Sequence, residues 1–257
     1  KKIVCLAVAA FFAAVIGLSA GCGGQGFSKQ ENKGEAVIRA GMDAAYPPFG
    51  SQDLNSKEYV GFDVDIIKAV AAEENLKVQV KNVNFDGLIP ALQTGDIDVA
   101  INDITITDDR AKSVDFSKRY YIAGLGVVVK ADNDSIVKKE DLKGKTLGVT
   151  IGSTGEEAAR KIEGADVRVY NTLSDAFIDL KHGAVEGVVN DIPTNEYYVA
   201  KTNDNSVKTA PVALTTENLG IAVKKGNTEL LAKIESGLAK IKKNGKFAEI
   251  YRKWFGK

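Results

Sequence analysis

The chain has 257 residues, 44% of them hydrophobic and 26% charged, with 34 basic side chains matched by 34 acidic ones. That is the composition of a globular protein with one large or two modest domains. A net charge near zero, with no basic cluster, leaves no electrostatic footprint for nucleic acid and directs the search for partners to small molecules and proteins.

The first segment, "KKIVCLAVAAFFAAVIGLSAGC", opens with Lys1 and Lys2, is apolar from Ile3 to Leu18, and reaches small residues at Ser19, Ala20 and Gly21. These are the parts of a secretory signal peptide over residues 1–21. A retained membrane helix is the other reading, but the apolar run is shorter than the roughly 20 residues a span needs. "LSAGC" resembles a bacterial lipoprotein signal, whose cysteine, here Cys22, is acylated and becomes the mature N-terminus; the usual Leu three places before it is Ser19. The polar, Gly-rich stretch 22–35 then reads as a tether between membrane and folded body. With Cys5 removed, Cys22 is the sole remaining cysteine, and the sequence has a single histidine, His182. Neither an internal disulfide nor a metal site is expected, and no cofactor.

Folding starts with the strand "AVIRAGM" (36–42). "GFDVDIIKAVAAEENL" (61–76) places Val64, Ile67, Ala71 and Leu76 near one helical face, before the strand "KVQVKNV". "FDGLIPALQTGDID" reads as a short helix ended by Gly95, and "DVAINDITIT" as the next strand. "DDRAKSVDF" begins a helical turn with Asp108 and Asp109 at its positive end. "GLGVVVK" is again a strand. A second unit starts near residue 130. It runs loop, strand, helix through "SIVKKEDLKGKTLGVTIGSTGEEAARKI", then strand "DVRVY", helix "LSDAFIDLKHG" and strand "AVEGVVND". "LGIAVKKG" (219–226) echoes "GLGVVVK" (124–130), so the chain is read as leaving the first unit near 124–130 and returning near 217–222. The closing "NTELLAKIESGLAKIKKNGKFAEIYRKWFGK" is helical and packs back on the first unit. The alternation indicates an α/β fold with mostly parallel sheets, and two units joined by two strands suggest a hinge beside a ligand cleft.

Four features carry chemistry, and each has two readings. In "GVTIGSTGEEAA", Ser153 and Glu156 fit a capping box, so the helix start is either merely well capped or an anion site built from free N–H groups. Arg110 either pairs with Asp108, Asp109 or Asp115, or grips a carboxylate with parallel hydrogen bonds. Asp191, in "VVNDIPTN", is a turn acid before Pro193 or a partner for an ammonium. "DAAYPPFG" offers Asp43, Tyr46 and Phe49 around a Pro-Pro turn, as a packed loop or a pocket wall. Taken together they describe a site for a zwitterion.

From about residue 36 to 257 the chain resembles bacterial extracellular solute-binding proteins for polar amino acids, the receptor components of ABC importers. The resemblance rests on "DAAYPPF", "GFDVDII", "FDGLIPALQTGDIDVAI", "TITDDRAKSVDFS", "GVTIGSTGEE", "VVNDIP" and "LGIAVKKGN", in that order. It implies a two-lobe periplasmic-binding-protein fold of type II, with lobe one at 36–125 plus 219–257 and lobe two at 126–218. Arg110 would clamp the ligand α-carboxylate with Ser153 and Thr154. Asp191, with the strand around Asp103 and Thr105, would receive the α-ammonium. Tyr46 and Phe85 would sandwich the ligand side chain, Asp43 would lie at the far end of the pocket, and Thr150 and Asn190 would help to select the ligand.

One departure concerns "ND" at 102–103, where relatives carry Gly or Ser. Asp103 either adds a second negative charge near the ammonium or caps a helix. If Asp43, Asp103 and Asp191 all face Arg110, the pocket favours a neutral amide or a cationic side chain, glutamine or a basic amino acid, over glutamate. The implied partners are a polar L-amino acid, the membrane permease subunits, and the membrane through the lipid anchor. The implied location is the outer face of the cell membrane or the periplasm, and a monomer suits a receptor that must open and close. The rival from another class is an enzyme of the same fold resembling cyclohexadienyl dehydratase, which would need a general acid in the cleft, Asp43 or Asp103.

Overall fold

The computed structural model describes residues 36–201 and 205–256; the signal segment 1–21, Cys22 and the tether to residue 35 lie outside them. The described residues form one compact unit built on two five-stranded sheets. The first runs in the order β5 (Leu76–Asn82), β1 (Ala36–Met42), β6 (Val99–Ala100), β15 (Ala222–Lys224), β7 (Val114–Phe116). The second runs β11 (Asp166–Tyr170), β10 (Thr146–Thr150), β12 (Gly187–Asp191), β9 (Leu125–Lys130), β13 (Val207–Ala213). In each, the first two pairings are parallel and the last two antiparallel.

The parallel half of each sheet follows from strand–helix alternation, because parallel neighbours need a crossover. In the first sheet α1 (Phe62–Ala72) and α2 (Leu88–Thr94) supply it; in the second, α4 (Thr154–Arg160) and α5 (Leu173–His182) do. The antiparallel half is made by the strands next to the connections between the sheets. Those connections include β8 (Tyr121–Ala123) and β14 (Glu217–Leu219), which pair antiparallel and form the two-strand hinge of a two-lobe fold. We call the halves carrying the first and second sheets lobe one and lobe two. A small meander of β2 (Ala45–Tyr46), β3 (Gly50–Gln52) and β4 (Tyr59–Val60) flanks lobe one. The remaining helices are α3 (Asp108–Ser113), α6 (Ile192–Lys201), α7 (Thr228–Lys243) and α8 (Lys246–Phe255). Among the described residues no helix is long and apolar enough to cross a membrane.

Helix α1 buries Val64, Ile67 and Ala71, as its period predicts. Leu76 does not share that face: the chain turns at Asn75 (φ 53°) and Leu76 opens β5. Lobe one packs α1 against α7 and α8, with Ile66 and Val70 meeting Ile234, Leu238 and Ile250 in one cluster. Phe49 is fully buried and packs edge-on against Phe62 and Tyr121, so it belongs to this core and not to a pocket wall. The core of lobe two gathers Val127, Val129, Leu147, Val149 and Val189.

The stretch "DVAINDITIT" departs most from expectation. Only Val99–Ala100 stays in the ladder, because Asp103 takes a left-handed φ of 52° and turns the chain out of the sheet. Residues 104–106 then run beside the returning hinge strand. The Ile106 N–H donates to the Asn218 carbonyl at 2.8 Å, and the Gly220 N–H to the Ile104 carbonyl at 3.0 Å. Ile101 and Ile104 are buried, so the apolar pattern reports burial here, not ladder pairing.

Candidate ligand-binding site

Arg110 is placed by its own helix start. Thr107 caps α3 by accepting the Arg110 backbone N–H at 3.2 Å. The guanidinium then folds back: Nη1 donates to the Thr105 carbonyl at 2.9 Å, and Nη2 reaches into lobe two to the Gly152 carbonyl at 3.0 Å. Its carbon lies 5.4 Å from the centre of the Phe85 ring. Two of the acids that could have neutralised it are engaged elsewhere, Asp109 with Lys112 and Asp115 with Lys225. Burial draws its pKa below the ordinary value. A half-buried guanidinium held by two carbonyls still has N–H groups to offer a planar anion.

In lobe two, Ser153 caps α4 by accepting the Glu156 N–H at 3.0 Å. The reciprocal arm of the expected box is displaced by one residue, since the Glu156 carboxylate accepts the N–H of Gly152, at 2.8 Å, rather than that of Ser153. At the end of β12, the single proton of the Tyr46 hydroxyl is shared between two acceptors, the Asp191 carboxylate at 2.9 Å and the Asn190 side-chain oxygen.

Asp103 resolves the departure noted in the sequence. Its backbone N–H donates to buried Asp63 at 2.8 Å, and Tyr120 donates to the other oxygen of Asp63 at 2.8 Å. That anchorage leaves the Asp103 side chain lining the cavity between the lobes; it caps no helix. Both its carboxylate oxygens are buried without a hydrogen-bond donor among the described residues, as are one oxygen of Asp191 and the Thr150 hydroxyl.

The cavity is tightly closed, with a volume of only about 10 Å³. Lobe one contributes Tyr46, Phe85, Asp103, Thr105 and Arg110; lobe two contributes Thr150, Ser153, Thr154 and Asp191. Two expected residues stand behind the wall. Asn190 supports Tyr46, and the Asp43 carboxylate accepts the Ala45 N–H at 2.8 Å, holding its own turn. One buried acid was missed by the sequence reading: Glu217, at the start of β14, accepts hydroxyl hydrogen bonds from Thr105 and Thr154. A larger pocket, about 370 Å³, lies beyond Glu217 along the hinge, among exposed side chains such as Lys139, Glu157 and Lys161. The smaller cavity is the chemically organised one, since the buried charges converge there.

Those charges do not balance. Burial raises the Asp191 carboxyl to about 7, reinforced by Glu217. Asp103 rises further above the usual carboxylate range, from burial first and then from Asp191, Asp63 and Glu217. Unpaired buried carboxylates opposite a guanidinium call for a guest with cationic donors at one end and a carboxylate at the other.

The model of the bacterial extracellular solute-binding proteins, family 3, matches residues 38–257. The ABC transporter glutamine-binding protein GlnH of Bacillus subtilis (strain 168) is 36% identical over 270 residues, spanning 99% of this chain and 97% of that protein. Among solved structures, an ancestral arginine-binding protein bound to arginine superposes with a TM-score of 0.82 at 46% identity, covering 86% of this chain and 98% of that one. An ancestral amino acid-binding protein, AncCDT-1, described as a precursor of cyclohexadienyl dehydratase, reaches 0.79 at 39% identity, covering 86% and 96%.

Proposed function

Because the chain belongs to the bacterial extracellular solute-binding proteins, family 3, we propose that it is the extracytoplasmic receptor of an ABC importer for a polar L-amino acid, glutamine or a basic amino acid. The observation that carries this reading is the meeting, in one interlobe cavity, of the Arg110 guanidinium with three carboxyl oxygens that have no donor, two of Asp103 and one of Asp191. Arg110, with Ser153 and Thr154, holds the α-carboxylate. Asp191 and Asp103 receive the ammonium, Thr105 lines the wall beside them, and Tyr46 and Phe85 enclose the side chain.

The reaction is closure, not catalysis. Lobe one, residues 36–125 plus 219–257, brings Arg110; lobe two, residues 126–218, brings Asp191. A ligand that touches both favours the closed form by its differential affinity, and permease subunits then recognise that form. The protein acts as a monomer, held outside the cell membrane through lipidated Cys22 and its tether.

The test is a melting series against the twenty L-amino acids, cystine, ornithine and prephenate. A ligand at about 100 times its dissociation constant adds roughly 2.7 kcal/mol. A shift confined to a few L-amino acids and lost in Arg110→Ala supports the receptor; no shift with any of them sinks it.

One observation favours a second reading, a dehydratase on the same fold. Asp103 is a buried carboxyl held toward its protonated form beside a guanidinium, which is what a general acid acting on a carboxylate substrate requires. In the same series, a shift with prephenate alone, accompanied by turnover, selects that reading.

A further inference from the structure

We propose that Glu217 is a positioning residue that latches the lobes closed, raising ligand affinity without touching the ligand. It stands at the first position of hinge strand β14, 7% exposed, and is not part of the cavity wall. Three hydroxyls converge on its carboxylate. Oε2 accepts from Thr105 and, at 2.8 Å, from Thr154; Oε1 accepts from Thr215 at 3.0 Å.

The two donors on Oε2 come from opposite lobes. Thr105 lies in the segment that leaves the lobe-one sheet, and its carbonyl also holds Arg110 Nη1. Thr154 is the first residue of α4 in lobe two. The short range of a hydrogen bond makes this arrangement specific to closure. Once α4 swings away, Oε2 keeps the Thr105 hydroxyl and the backbone contacts of residues 104–106 to the hinge, but loses Thr154. The Thr215 bond is local to the hinge and survives in either form.

Glu217 therefore adds the Thr154 hydrogen bond to the closed state alone. It biases the equilibrium before any ligand arrives, and the affinity of a closed-state ligand scales with the fraction already closed. The affinity part rests on the receptor reading above; the bias itself does not.

The experiment compares wild type with Glu217→Ala, Glu217→Gln and Thr154→Val by calorimetric titration and by small-angle X-ray scattering without ligand. Removing the latch in Glu217→Ala should weaken every amino acid that wild type binds by the same factor, roughly ten-fold, and should enlarge the ligand-free radius of gyration. Glu217→Gln, whose amide oxygen can take both threonine hydroxyls, should restore both readouts toward wild type. Thr154→Val, read only by scattering without ligand because Thr154 also lines the cavity, removes the lobe-two arm and should enlarge the ligand-free particle as Glu217→Ala does; it carries the scattering comparison if Glu217→Ala does not fold.

Unchanged affinity and scattering in Glu217→Ala would overturn the latch. A Gln variant as weak as the Ala variant, or a loss confined to cationic ligands, would also overturn it, by showing that the charge acts on the ligand directly. A wild type that binds no amino acid would sink the receptor reading and leave the scattering comparison to decide the latch.

Discussion

The Tyr46 hydroxyl, beside lobe one, donates to the Asp191 carboxylate of lobe two at 2.9 Å. One phenol thereby fixes a buried acid that has a second oxygen without a donor. Arg110 makes a second crossing in the same direction, to the Gly152 carbonyl, so lobe one reaches lobe two at both points. The cavity is built from both lobes: lobe one supplies Arg110 and Asp103, and lobe two supplies Asp191 and the start of α4.

Arg110→Ala should abolish measurable amino-acid binding, at least a hundred-fold in dissociation constant, because it removes a charge-assisted clamp from a buried site. Arg110→Lys should recover only part, since an ammonium cannot reproduce the planar fork. Calorimetric titration checks both. Affinity equal to wild type in the Lys variant would show that charge alone suffices.

Asp103→Asn should move stability and affinity in opposite directions. The native side chain is a buried carboxyl with neither oxygen accepting a hydrogen bond among the described residues, an arrangement that costs folding free energy. Its neutral isostere should raise the ligand-free melting temperature by ~2–4 °C, about 1 kcal/mol at this size, and weaken basic amino acids more than glutamine. A lower melting temperature with unchanged affinities would show that the carboxylate serves the fold.

Lowering the pH should separate the same two quantities. Burial pushes Asp191 up to about 7 and, independently, Asp63 to about 7. Between the ordinary carboxylate range and about pH 7 the native chain holds more protons than the unfolded one, so ligand-free stability should fall as pH rises through that window. In the proposed pose the ligand ammonium pairs with ionised Asp191, so affinity should rise over the same window, by about ten-fold per unit where one proton must leave. Melts and titrations between pH 5 and 8 read both slopes. Parallel slopes would remove Asp191 from the ligand contact.

Gly124 joins β8 to β9 at the hinge, and a Cβ there would stand 2.4 Å from the Thr215 carbonyl of the returning connection. Gly124→Ala should force the two connections apart and destabilise the fold by about 1–3 kcal/mol, read by denaturant titration. Wild-type stability would mean that the hinge backbone yields without cost.

Much of this architecture was legible locally. Ser153 announces α4 and Gly95 ends α2 because a side-chain cap and a left-handed glycine act over a few residues. "INDITIT" misled because buried isoleucines look alike in a ladder and in a segment lying beside a hinge strand. The break at Asp103 has no strong local signal, since Asp tolerates the left-handed region without requiring it. Asp43 reads as a pocket acid until its own turn is seen to hold it. Glu217, in "TTENL", carries no mark of burial: the hydroxyls that bury it lie 112 and 63 residues away in the chain. Side chains defined by partners from both lobes were the least visible.

The most direct test of the two-ended cavity is a calorimetric titration of the wild-type protein with the L-amino acid that gives the largest melting shift, alongside that amino acid with its carboxylate amidated and with its ammonium acetylated. The account predicts tight binding of the free amino acid and a loss of at least a hundred-fold when either end is blocked, because each lobe then loses its charged contact. Retention of affinity by either blocked form would contradict it.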